Sequence, residues 1–236
     1  MRLRKWEDLP QFMQCEEVRE YYDILAKKKS ELVLKRGFDV AAAMILLIIL
    51  AIPMLIIAVM IQLDSPGPVF YRQERVTAYG KRFRIHKFRT MVNNADKVGT
   101  AVTVCSDARI TKVGIRLRNL RIDEIPQLLD VLSGNMSFVG TRPETTKYVE
   151  SYTKEMYATL LLPAGITSEA SIRYKDEAKL LDGAEDVDKI YVEEILPAKM
   201  KYNLQSIKDF TLHNEIMIMI RTLFAIFIED SGAQNG

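Results

Sequence analysis

Val40–Ile61 reads VAAAMILLIILAIPMLIIAVMI, 22 residues without a charge in a chain of 236. At about 1.5 Å per residue it makes a helix of roughly 33 Å, enough to cross the hydrocarbon of a bilayer. A soluble core helix rarely stays apolar on every face for so long, so the stretch reads as a membrane segment. Pro53 interrupts it. Proline removes the hydrogen bond to the Ile49 carbonyl and crowds the preceding turn, so a kink is expected there.

The flanks bear on topology. Lys27, Lys28, Lys29, Lys35 and Arg36 precede the segment; Arg72, Arg75, Lys81, Arg82, Arg84, Lys87 and Arg89 follow it. Basic residues near membrane ends stay cytoplasmic, and both ends claim that side. A straight span breaks the rule at one end, whereas a helix that enters, bends at Pro53 and returns satisfies it at both. The expected organisation is a polar N-terminal extension (1–34), a re-entrant membrane helix (35–63) and a cytosolic or interfacial domain (64–236). An ordinary single span is the alternative.

The net charge of +2 conceals basic residues crowded between 72 and 121 and acidic ones after 169. So small a net charge, with no basic–aromatic platform, argues against nucleic acid as a partner. Cys15 and Cys105 cannot build a disulfide framework and lack metal-ligand neighbours, which suits a reducing compartment. The first thirty residues carry several acids and no apolar stretch of a secretory signal.

Beyond the membrane segment, DSPGPVF (Asp64–Phe70) is a turn cluster. VFYRQERV and KRFRIHKFRTM alternate around TAYG and predict a β-hairpin with a basic face. Residues 91–107 predict a loop with a short helix around NNADKV, and ARITKVGIRLRNL predicts a short helix. TTKYVESYTKEMYATLL is helical in period, and LPAGITSEASI is a loop entering an extended segment. EDVDKIYVEEILPAKMKYNLQSIKD predicts one or two helices broken near Pro197. NEIMIMIRTLFAIFI, interrupted by Arg221, is a core helix or lies in the membrane interface.

Asp123-Glu124-Ile125-Pro126 resembles a helix start, with Leu128, Leu129 and Leu132 as its apolar stripe and Gly134 as its stop. A helix N-terminus favours ionised carboxylates and bound anions alike. A plain N-cap is the bland reading. Arg118, Arg121 and Arg142 surround the pair in sequence, and the hairpin adds Lys87 and Arg89. Guanidinium forks match phosphate oxygens. Two carboxylates without His or Cys suit Mg²⁺ held together with a substrate diphosphate. A carboxylate can also attack phosphorus and form an acyl phosphate. The chemistry indicated is phosphoryl transfer at a membrane surface.

KRGFDVAAA, the proline-bearing apolar helix, DSPGPVFYRQERV, KFRTM, DARITKVGIRLRNLRIDEIPQLLDVLSGNMSFVGTRP and PAGIT follow one another as in the bacterial sugar transferases. The chain resembles these monotopic polyprenyl-phosphate phosphoglycosyl transferases, in their small catalytic-core form, from about Lys35 to Leu223. The resemblance implies transfer of a sugar 1-phosphate from a UDP-sugar to polyprenyl (undecaprenyl) phosphate. UMP would be released at the cytoplasmic face of a bacterial membrane, initiating surface glycan assembly. It also implies an α+β, mainly helical fold: a re-entrant helix among phospholipids and a small globule with a β-hairpin and interfacial helices.

Carried over by position, Asp123 matches the nucleophile and Glu124 its partner in Mg²⁺ binding and proton handling. Lys87, Arg89, Arg109, Arg118 and Arg142 are candidates for holding phosphate and nucleotide-sugar. Lys35, Arg36 and Asp39 match the motif where the chain enters the membrane and are expected among lipid head groups. Ile52 stands where the family has serine before Pro53, Thr141 where it has proline, and Thr77 where a turn glycine is frequent. GITSEASI differs from the commoner GITGLAQV. A Mg²⁺-dependent membrane hydrolase of nucleotide-diphosphate sugars and a non-catalytic membrane scaffold are the competing functions. His86 and His213 are read as structural.

Overall fold

The computed structural model describes residues 1–93, 109–175, 177 and 186–227. The helix expected around NNADKV falls almost wholly outside them.

Helix α1 spans Glu16–Ala26 and α2 spans Lys29–Asp64. The apolar run therefore belongs to a 36-residue helix that starts earlier than the 35–63 expected. Its buried residues are Leu32, Lys35, Asp39, Ala43, Ile57 and Ile61, with Leu46, Leu47, Leu50 and Met54 partly covered between them. Steps of three and four draw one stripe down the helix. The stripe passes the proline with an ordinary step of four, from Leu50 to Met54, leaving Ala51, Ile52 and Pro53 on the exposed side. The opposite face carries Ile48 at 77 % exposure, Ile52 at 71 % and Leu63 at 84 %. An apolar face this extensive calls for lipid or a partner rather than water.

The first 34 residues are not a polar lead-in. Leu9, Met13, Val18, Tyr21, Leu25 and Leu32 are buried in one cluster with Ala158, Leu160, Leu161, Leu204, Ile207 and Phe210. Val18, Tyr21 and Leu25 share a face of α1, and the Tyr21 hydroxyl donates to Glu155 Oε1 at 2.5 Å. Glu16, Glu17, Arg19, Glu20 and Asp23 on the other faces of α1 hide this stripe in a composition count.

Strands β1 (Phe70–Val76) and β2 (Arg82–Phe88) form the predicted antiparallel hairpin, pairing Phe70 with Phe88 through Val76 with Arg82. Period two puts Phe83, Ile85 and Lys87 on one face of β2. Next come α3 (Lys112–Asn119), a 3₁₀ turn (Ile122–Gln127), α4 (Leu128–Ser133) and β3 (Met136–Val139). Strand β3 lies parallel to β4 (Ala164–Thr167). A side chain at Gly165 would collide with the Gly140 backbone, so the two chains approach closely only because both residues are glycine. The predicted helix after Glu144 is reduced to α5 (Thr146–Val149) and a 3₁₀ stretch, Glu155–Leu161.

Helix α6 covers Glu169–Arg173. Helix α7 (Val187–Ile190) passes through a π-helical turn, Tyr191–Ile195, into α8 (Leu196–Lys208). The break expected near Pro197 is a change of helix type, from the π-helical turn to α8, at the first residues of which Pro197 stands. Helix α9 (Leu212–Phe227) buries Glu215 and Ile218 and exposes Ile216, Met217, Ile220, Leu223 and Phe224. The fold is mainly helical, with two two-stranded sheets among the described residues.

Candidate active site

Asp123 and Glu124 lie in the 3₁₀ turn, entered through Arg121 in the left-handed region (φ 54°). They therefore precede α4 instead of capping it, and α4 is only six residues long. Helix-end electrostatics contribute little here; side-chain cations dominate.

Glu124 Oε1 accepts from Lys87 Nζ at 2.7 Å and Arg142 Nη2 at 2.5 Å, with Arg142 Nη1 at 3.3 Å from Oε2. The inward face of β2 aims Lys87, and the segment beyond β3 aims Arg142. Backbone bonds from Gly140 N to Thr167 O (3.0 Å) and Gly165 N to Thr141 O (2.9 Å) hold that segment. Burial by itself would raise the Glu124 pKa, but Arg142 and Lys87 overcome it and hold the carboxyl well below its usual range. The same burial lowers the Lys87 pKa, offset by Glu124, and Glu124 raises that of Arg142. Glu124 is an ionised anchor clamped by two cations.

Asp123 differs. Among the described residues none hydrogen-bonds its half-buried carboxylate. Burial raises its pKa, and Glu124 adds to the rise, while Lys87, Arg118 and Arg142 oppose it. A desolvated, unbonded carboxylate retains lone pairs for an incoming electrophile or cation. Glu124 Oε2 has spare capacity too. No third His, Cys, Asp or Glu joins them among the described residues. Two oxygen donors fit Mg²⁺, which commonly completes its shell with substrate phosphates and water.

Of the other expected phosphate ligands, Arg118 approaches the acids from α3, its Nε donating to Thr90 Oγ1 at 2.9 Å. Arg109 lies beside the bridge between Met91 and Ile110, its carbonyl accepting from Val92 N. Arg89 does not join the site. It is 5 % exposed and donates to the carbonyls of Ser65 (2.5 Å) and Pro66 (3.0 Å), capping the C-terminal end of α2.

Lys35, Arg36 and Asp39 also depart from expectation, because they face the globule rather than head groups. Lys35 bonds Glu215 on α9 and the Val139 carbonyl. Asp39 accepts from Ser137 Oγ (2.8 Å) and Phe138 N (3.3 Å). Arg36 donates to the Val131 (2.6 Å) and Leu132 (3.0 Å) carbonyls at the end of α4. Spacing i, i+4 puts Lys35 and Asp39 on the stripe of Leu32 and Ala43, so one cannot be buried without the other. His86 has a partner that the sequence did not suggest. Its backbone N and Nδ1 each lie 2.8 Å from an oxygen of buried Asp130, tying β2 to α4 beside Lys87.

Both halves of α2 meet this site. Ala43 to Leu50 pack with Leu128, Val131 and Phe138, while Met54, Ile57 and Ile61 pack with Phe88 and Leu117. Ile125, adjacent to Glu124, touches both clusters.

A family model for "Bacterial sugar transferase" matches residues 30–229. The chain belongs to that family. It is 36 % identical over 197 residues to the UDP-N-acetylgalactosamine-undecaprenyl-phosphate N-acetylgalactosaminephosphotransferase of Aeromonas hydrophila, covering 82 % of this chain and 43 % of that one. It is 34 % identical over 200 residues to the UDP-glucose:undecaprenyl-phosphate glucose-1-phosphate transferase of Escherichia coli (strain K12), covering 83 % and 40 %. A Caulobacter vibrioides protein of the same name is 35 % identical over 200 residues, covering 84 % and 71 %. The chain thus spans less than half the length of the first two relatives.

Proposed function

We propose that this family member transfers a sugar 1-phosphate from a UDP-sugar to undecaprenyl phosphate, releasing UMP and initiating glycan assembly. The observation that carries the reading is the asymmetry of the acid pair, with Glu124 clamped by two cations and Asp123 left unbonded among the described residues. The curated relatives, named for undecaprenyl-phosphate sugar-phosphate transfer, support it.

In the proposed cycle an Asp123 oxygen attacks the phosphorus that carries the sugar, and the P–O bond to UMP breaks, its electrons leaving with UMP. The product on the enzyme is an acyl phosphate. A phosphate oxygen of the lipid acceptor then attacks the same phosphorus, expelling the Asp123 carboxylate and forming the lipid diphosphate sugar. Lys87, Arg118 and Arg142 balance the phosphate charge that would repel the attacking carboxylate. Glu124 holds Lys87 and Arg142 in place. Mg²⁺ bound by Asp123, Glu124 Oε2 and the donor diphosphate would supply further neutralisation.

The test is UMP release with and without undecaprenyl phosphate. Transfer gives sustained release only with the acceptor, and at most one UMP per enzyme without it. Sustained acceptor-independent release would indicate a hydrolase, and no release a scaffold.

We also propose that α2 is re-entrant, lying in the cytoplasmic leaflet of the membrane among phospholipids. Supporting this, both halves of α2, on either side of Pro53, pack on the same globule. Cysteines substituted at residues 33 and 66 should both label from the cytoplasmic side only. Labelling of either from the far side would overturn the proposal.

A further inference from the structure

Behind Arg142 lies a second feature, a pocket of ≈ 140 Å³ between β1, the segment after Arg142 and helices α7–α8. Its wall is ionic. Tyr191 donates to Glu144 Oε1 at 2.6 Å, and Lys199 Nζ donates to Glu177 Oε2 at 2.7 Å and to the Tyr191 oxygen at 3.1 Å. Arg75 closes another side, donating to the Pro143 carbonyl at 3.2 Å. Glu144, Tyr191 and Lys199 are each 6 % exposed or less. The rings of Tyr148 and Tyr191 lie 4.6 Å apart beside them. Thr145 Oγ1, on the same lining, is buried and has no hydrogen-bond partner among the described residues.

We infer that this pocket receives the sugar ring of the donor and that Tyr191, Lys199 and Thr145 set which sugar is accepted. The inference rests on the transferase reading above and deepens it. Three cations, Arg75, Arg142 and Lys199, face two carboxylates, Glu144 and Glu177, so the wall is nearly charge-balanced. That suits a neutral polyhydroxylated ring better than another phosphate, and so polar a wall does not suit a prenyl chain. Carboxylates accept from sugar hydroxyls, ammonium and guanidinium groups donate to them, and aromatic rings cover C–H faces. The unpartnered Thr145 hydroxyl offers one further bond to a ligand.

Position agrees with chemistry. Arg142 reaches Glu124 on one side and lines the pocket on the other. In an in-line displacement the nucleophile and the leaving UMP lie on opposite sides of phosphorus, so the sugar projects sideways. A pocket beside the acids is where such a substituent goes.

The test compares Tyr191→Phe and Thr145→Val with wild type in lipid nanodiscs, using undecaprenyl phosphate and a panel of UDP-hexoses and UDP-N-acetylhexosamines. Each change removes one oxygen at almost constant volume, which keeps the fold; an unchanged melting midpoint checks this. Lys199→Met, which strands two carboxylates, is read as the ratio of kcat/KM between donors, in which any loss of folded enzyme cancels. The expected result is a change in donor ranking: the best donor loses at least about tenfold in kcat/KM relative to the others. The loss should lie mainly in KM, with inhibition by UMP unchanged. An equal loss for every donor, no loss, or weakened UMP inhibition in step with KM would overturn the sugar assignment and leave the transferase reading standing. A wild type with no acceptor-dependent UMP release from any donor would overturn both.

Discussion

Two ionic clusters in this protein are built from the same materials and differ in one respect. Where α2 meets α9 and β3, Lys35 pairs with Glu215, and Asp39 accepts from Ser137 and Phe138. Every charge there is buried and bonded, as burial demands. In the 3₁₀ turn, Lys87 and Arg142 clamp Glu124 in the same manner, but Asp123 beside it has no such partner among the described residues. The first cluster spends its charges on structure. The second leaves one carboxylate desolvated and unbonded, a cost that structure alone does not require. The acid whose pKa is pushed up, rather than the one in the stronger ion pair, is the one proposed above as the nucleophile.

The sharpest way to break this comparison is Asp123→Asn. Turnover should fall by more than about 10³-fold, because an amide cannot form the acyl phosphate. Mass spectrometry of wild type with donor and no acceptor should find a phosphosugar adduct on a peptide containing Asp123, absent in the variant. Near-normal turnover would return the pair to the role of a structural turn.

Lys35→Met addresses the other cluster and should cost about 3–5 kcal/mol of stability, since it strands Glu215 inside the protein. Acceptor-dependent turnover per folded molecule should survive. Replacing both partners, Lys35→Met with Glu215→Leu, should recover most of the lost stability, because a well-packed apolar pair leaves no buried charge. Denaturation in nanodiscs measures both.

The smallest effect sharpens the comparison further, and its sign is opposite. Burial raises the folded-state pKa of Asp123 above its ordinary 3.8. The ionised form is therefore disfavoured by folding. That penalty appears as pH rises through the ordinary value and is complete above the raised one. Asp123→Asn should thus raise the melting midpoint at neutral pH, by about 2–4 °C for each kcal/mol relieved. At pH below 3.8 the gain should vanish.

Much of the architecture was legible locally. The apolar run, the hairpin alternation, the helix of residues 112–119 and the Gly134 stop each depend on residues a few positions apart. The acid pair was legible as well, through its motif. Its electrostatic setting was not, because Arg142 and Lys87 govern it, while the six-residue α-helix beginning after Gln127 supplies little dipole. Lys87 and Arg142 were expected to hold phosphate, and whether they clamp Glu124 instead depends on contacts 37 and 18 residues apart in the chain. The first 34 residues look like a polar extension in the sequence because their apolar stripe finds its core far away, at residues 158–161 and 204–210.

What the sequence determined by itself was the inventory: one membrane-seeking helix, one hairpin, two adjacent acids and a surplus of cations between 72 and 121. Only the tertiary structure decided which cations served which purpose. Arg89 and Lys87 are two residues apart on β2 and its end, yet one caps α2 and the other holds Glu124. Lys35 finds its carboxylate 180 residues away, and Lys199 meets Glu144 of the post-β3 segment, Glu177 and Tyr191 of the π-helical turn. Local periodicity follows from backbone geometry, which any short window contains. Charge pairing follows from which distant surfaces exclude water together, and no window contains that.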